Sequence, residues 1–174
     1  MTRGAWAAAL AAVLLFVVAI GVVVVVTSGD DHKSARATPT GPVADALDDA
    51  KPADEPFADW TVTEVGVGGE RLDVVVADEG DERFQGLRRR QDIGPYDGML
   101  FVFDRPTSSS FTMSTVPVPL DIGFYDERGR LVDRLRMEPC PHEQSRCPLY
   151  SASGPFTYAL ETLASDLPRG DLTA

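Results

Sequence analysis

Three charged residues sit inside otherwise apolar motifs: Arg83, Asp121 and Glu161. Burying a charge without a partner is costly, so charges in such company carry the most information. Asp121 stands between Leu120 and Ile122, and Glu161 follows Leu160. On a strand each can point opposite to its apolar neighbours, which makes solvent exposure the plain reading. A second reading is a structural pair, with Arg83 held bidentately by Asp121 or Glu161. The functional reading is a concave ligand site lined by Met99, Met113 and Thr115, with Arg83, Gln85 and one of the carboxylates as its polar groups.

Asp121 and Glu161 would also suit the acid and base of a hydrolase, for instance one acting on glycans. That chemistry needs the two carboxyl groups roughly 5–10 Å apart in one cleft, and opposite sheet faces would remove it. Ser–His–Asp catalysis has little support, because the only histidine after residue 57 is His142, between two cysteines. No pattern implies a cofactor. The sequence names no reaction, and a noncatalytic module that binds a small molecule, glycan or protein is preferred over catalysis.

Cys140 and Cys147 enclose a short polar loop. In an exported domain such a pair reads as a disulfide. A redox pair would want Cys-x-x-Cys at a helix N-terminus. A structural zinc would want a fourth ligand beside Cys140, His142 and Cys147.

The elements that must position these groups read as strands. Trp60–Val67 and Arg71–Ala77 alternate around the turn signal Gly68-Gly69. Asp78–Leu87 reads as a short helix with an acidic first turn, capped by Asp78. Further strands are expected at Met99–Phe103, Ser110–Thr115, Leu120–Tyr125, Arg130–Met137, Tyr150–Ala152 and Phe156–Leu163, followed by a loop tail. The basic side of Arg130–Met137 reads as a solvated edge face. The fold class is mainly β (α+β), a partly closed barrel or two-layer sheet with one short helix.

Residues 5–26 carry no charge and no proline. A helix of that length spans about 33 Å, close to a hydrocarbon core, and reads as a single transmembrane anchor. Arg3 before it and Asp30 and Asp31 after it place residues 1–4 in the cytoplasm and the rest outside, as a single-pass protein of the cell membrane. Residues 27–56, with four prolines and almost no large apolar side chains, read as a disordered tether. Residues 57–174 form the extracytoplasmic domain. The net charge of -11 disfavours nucleic acid as a partner.

Four ordered blocks carry a resemblance. They are Ala77 with Arg83-Phe-Gln-Gly-Leu87; Asp97-Gly-Met-Leu-Phe-Val-Phe103; Phe111-Thr-Met-Ser-Thr115 with Pro119-Leu-Asp-Ile122 and Phe124; and Tyr150 with Tyr158-Ala-Leu-Glu161. Together, over about residues 71–165, they resemble the domain of unknown function 192 family. The resemblance implies a small, mainly β domain, often exported or membrane-anchored, with no established activity. The chain departs from the family pattern at Arg88, Thr112, Ser114 and Ser165.

Overall fold

The computed structural model describes residues 40–174. The expected anchor at residues 5–26, and the tether as far as residue 39, lie outside the described residues. Among the described residues no helix is long and apolar enough to cross a membrane.

In chain order the elements are α1 (Ala44–Asp48), β1 (Lys51–Pro52), β2 (Thr61–Val67), β3 (Glu70–Ala77), α2 (Gly80–Gln85), β4 (Gly98–Thr107), β5 (Phe111–Thr112), β6 (Leu120–Tyr125), β7 (Leu131–Met137), β8 (Leu149–Tyr150), β9 (Phe156–Leu163) and β10 (Leu172–Thr173). One sheet runs in the order β1-β2-β3-β4-β9-β6-β7, with β10 also paired to β2, and β5 and β8 form a separate two-stranded sheet. The fold is mainly β, but the barrel is not closed. Leu172 N–H donates to Gly129 O at 2.7 Å, yet among the described residues no ladder joins β7 to the strands around β2.

The period-2 pattern explains the two cores. Val75, Ala77, Met99, Phe101, Ile122, Phe124 and Ala159 fill one face of the main sheet, while Val74, Val76, Leu100, Val102, Tyr125, Tyr158 and Leu160 fill the other. Strands buried on both faces need near-continuous apolar runs, and β4 and β6 have them.

Strands β3 and β4 pair in parallel, Val74 with Gly98 through Ala77 with Phe101. A parallel pair needs a crossover, and the segment carrying α2 supplies it. The cap of α2 is Glu79 rather than Asp78, in a reciprocal capping box with Glu82. Gly86 ends the helix at φ 47°, ψ -141°. That backbone region is essentially closed to residues with a Cβ. It turns Leu87 into the core beside Phe101.

Three expectations need correction. The folded body starts before Phe57: Val43 is fully buried, and Lys51 and Pro52 pair with Val62 and Thr61. A few apolar side chains, Val43 and Leu47 above all, suffice to dock residues 40–56 on an existing sheet. The Ser110–Thr115 strand shrinks to two residues, because Thr115 adopts φ 60° and breaks the run. The tail from Ala164 is not all loop, since Leu172 is buried and pairs with Val67.

Candidate functional site

A cavity of about 290 Å³ opens between the C-terminal end of α2, strand β4 and the β5 segment. Phe101, Phe103 and Phe111 line it, with Glu161 among them, and Arg83, Arg88, Gln85, Gln144, Ser109 and Ser110 supply polar groups. Phe101 and Phe111 meet edge to face at 5.0 Å, and Phe111 continues to Phe124 at 5.6 Å. The wall therefore belongs to a continuous aromatic cluster and is held rigidly.

Glu161 is the chemically unusual member. It lies on central strand β9, paired with Met99 on one side and Ile122 on the other, so it shares its face with two fully buried apolar side chains. It is 5% exposed, lines the cavity, and its carboxyl has no hydrogen bond or ion pair among the described residues. Burial pushes its pKa up to about 8. At neutral pH the group is therefore mostly a protonated acid able to donate or accept a hydrogen bond.

Arg83 is tied to backbone rather than to a carboxylate. Its Nη1 donates to Asp78 O at 2.5 Å and Val102 O at 3.0 Å, and its guanidinium lies 5.3 Å from the Phe103 ring centre. It thus clips α2 to β4, and the bidentate pairing with Asp121 or Glu161 is not formed. Arg88 bridges three segments: Nε to Phe84 O at 3.0 Å, Nη1 to Ser114 O at 3.4 Å and Nη2 to Gln144 Oε1 at 3.2 Å. Gln144 stands inside the loop closed by the Cys140–Cys147 disulfide. The two cysteines are joined in the structure, as the disulfide reading expects. Phe84, 70% exposed, stacks under Arg88 at 5.0 Å beside the opening.

Of the residues singled out from sequence, Arg83, Gln85 and Glu161 line the cavity together. Met99 and Met113 do not line it; both are fully buried in the core of the same sheet face. Thr115 is a left-handed joint whose N–H donates to Cys140 O at 2.8 Å and whose carbonyl accepts from Arg89 N at 2.8 Å. Asp121 is on the other side of the sheet. It pairs in register with Thr162, one residue past Glu161, so the two carboxyl groups leave the sheet on opposite faces. That removes the hydrolase built on this pair.

Asp121 is instead a structural anion. It meets Arg134 at 3.0 Å and Arg136 at 3.5 Å, and accepts from Ser165 N at 3.1 Å. Burial works to raise its pKa, but the Arg134 hydrogen bond, the Ser165 N–H and both guanidinium charges together hold it below the ordinary value. The basic side of β7 is accordingly more than a solvated edge, because Arg134 and Arg136 hold Asp121.

Sequence reasoning missed Arg88, Phe111, Gln144 and the Ser109–Ser110 pair. Phe111 stood inside a recognised motif, whereas Gln144 had no signal beyond its place in the disulfide loop. A wider groove of about 700 Å³ near Asp45, Glu64 and Arg71 has charged, exposed walls. It contains no buried functional group of the Glu161 kind.

Two solved structures share the fold. A protein of unknown function from Novosphingobium aromaticivorans DSM 12444 is 24% identical with a TM-score of 0.59, over 74% of this chain and 96% of that one. A Sinorhizobium meliloti 1021 protein described as a candidate transcription regulator is 24% identical with a TM-score of 0.52, over 63% of this chain and 88% of that one. Nothing among the curated proteins matches the chain. The domain of unknown function 192 family, described as "Uncharacterized ACR", matches residues 62–171, more than half of the chain, and the chain belongs to that family.

Proposed function

We propose that this domain is a noncatalytic binding module, held outside the cytoplasm by a membrane helix at residues 5–26, with its ligand seat in the Glu161 cavity. The observation that carries the reading is Glu161 itself. A carboxyl buried among Met99, Ile122 and phenylalanines, with no partner among the described residues, lowers stability. A buried acid with a strongly raised pKa at the edge of a cavity is a mark of functional sites. The cavity beside it has the usual make-up of a small-molecule seat, apolar walls with a few convergent polar groups. The disulfide supports an oxidising location. The net charge of -11 works against contact with a phosphate backbone.

Ligand-observed NMR with a panel of small amines, monosaccharides, N-acetylated sugars and carboxylates tests the seat. A probe that binds wild-type protein and is lost in a Thr112→Trp variant, which fills the opening, supports it. Binding unchanged by Thr112→Trp would move the seat elsewhere. Labelling of intact cells with a membrane-impermeant reagent tests the location, and protection of the domain from the outside would remove it.

A further inference from the structure

We infer that the ligand of this cavity carries a cationic, ammonium-type head group seated between the Glu161 carboxyl and the rings of Phe101, Phe103 and Phe111. The inference rests on the cavity being a ligand seat and narrows what that seat takes. Once ionised, the Glu161 carboxyl has no counter-charge among the described residues and a cation supplies one, while aromatic faces attract cations and shed their water. The combination of an unpartnered acid and three ring walls is the chemistry that recognises alkylated ammonium.

The charged groups lining the cavity besides Glu161 are Arg83 and Arg88. Both guanidiniums hydrogen-bond carbonyl oxygens, Arg83 with Asp78 and Val102, Arg88 with Phe84, Ser114 and Gln144, and keep their positive charge, so the ammonium has to sit against Glu161, the one acidic side chain of the lining. Neither neutralises Glu161, whose high pKa has burial as its cause. On the same sheet face its strand neighbours Met99 and Ile122 bring no charge, and Asp121 with its arginines lies behind the sheet. The volume of about 290 Å³ holds a trimethylammonium group with room for its substituent.

Binding is then coupled to ionisation. The protonated Glu161 gives its proton to solvent, and the carboxylate pairs with a cation that keeps its own charge. Affinity for a permanent cation must rise with pH and level off above about 8. A neutral ligand that accepts the Glu161 proton in a hydrogen bond would show the reverse.

The test uses the full chain in a polyoxyethylene detergent, titrated with choline and with its uncharged isostere 3,3-dimethyl-1-butanol at pH 6 and pH 9. Expected are choline binding at least about tenfold tighter than the alcohol at pH 9, a rise of about tenfold or more from pH 6 to pH 9, and net proton release seen by calorimetry in two buffers. Glu161→Gln should remove the preference and its pH dependence, and Phe103→Leu should weaken choline while sparing the alcohol. Circular dichroism verifies that both variants fold. Equal or tighter binding of the alcohol, or of a neutral sugar, would overturn the cationic assignment and leave the ligand seat standing. Failure of choline, the alcohol and the sugar all to bind, or binding of any of them left unchanged by Thr112→Trp, would remove the seat and the assignment together.

Discussion

Asp121 and Glu161 occupy adjacent register positions on the paired strands β6 and β9, Asp121 opposite Thr162 and Glu161 opposite Ile122, and so point to opposite faces of one sheet. Among the described residues one carboxyl is held by two arginines, the other by none. The same residue type chemistry, one strand apart, thus becomes a structural anion on one side and a candidate ligand group on the other. The two should leave opposite signatures in stability against pH.

For Glu161 the folded pKa is raised from 4.5 to about 8. The stability it leaves intact is fully present below about 4.5 and is lost as pH rises through the folded value. Glu161→Gln should remove this slope, and Glu161→Met should stabilise the protein at pH 8 by on the order of 2 kcal/mol. Urea denaturation at several pH values measures both. A Met variant less stable than wild type at pH 8 would show that Glu161 has a partner after all.

Asp121 behaves in the other sense. Its folded pKa is lowered, so its contribution is present above the unfolded value of 3.8 and is lost as pH falls through the folded value. Asp121→Asn should cost about 2–3 kcal/mol at pH 7, because Arg134 and the Ser165 N–H lose an anionic partner. The difference between variant and wild type should shrink in acid.

Gly86 tests the joint that shapes the cavity. Its φ of 47° and ψ of -141° are strained for any residue with a Cβ, and that atom would stand 3.4 Å from Phe101 Cζ. Gly86→Ala should cost about 1–3 kcal/mol. Because α2 must then shift against β4, amide exchange should quicken from Arg83 to Arg88 more than in β9.

The Cys140–Cys147 bridge closes a loop of eight residues and should contribute about 2.5 kcal/mol by restricting the unfolded chain. Reduction, or replacement of both residues by Ser, should lower the unfolding midpoint accordingly. It should also loosen the Gln144 side of the cavity, where Arg88 donates to Gln144 Oε1. A ligand that leans on that side would lose affinity along with stability.

Phe84 is 70% exposed and rests on Arg88. Phe84→Ser should change stability by no more than about 0.5 kcal/mol. It should weaken capture of any ligand that reaches the rim, which separates a binding role for this ring from a packing role.

Local pattern carried much of the fold. The alternation in β3, the apolar runs in β4 and β6, the turn before β7 and the cysteine spacing are short-range features, and each was readable because it depends on residues close in sequence. The family motifs were readable for the same reason. The docking of Val43 and Leu172 was not, since one or two apolar residues acquire meaning only beside the sheet that buries them.

The site divides along the same line. Sequence alone picked out Arg83, Asp121 and Glu161, because a charge in an apolar run is conspicuous at any distance. Which side each one faces depends on strand pairing between residues far apart, Met99 with Glu161 and Asp121 with Thr162, and only the assembled sheet fixes it. The methionines were conspicuous but belong to the core, while Phe111 and Gln144 reach the cavity through a two-strand pairing and a disulfide loop. Alternation tells a chain that neighbours diverge; tertiary contact decides which of them meets water, which an arginine and which an open seat.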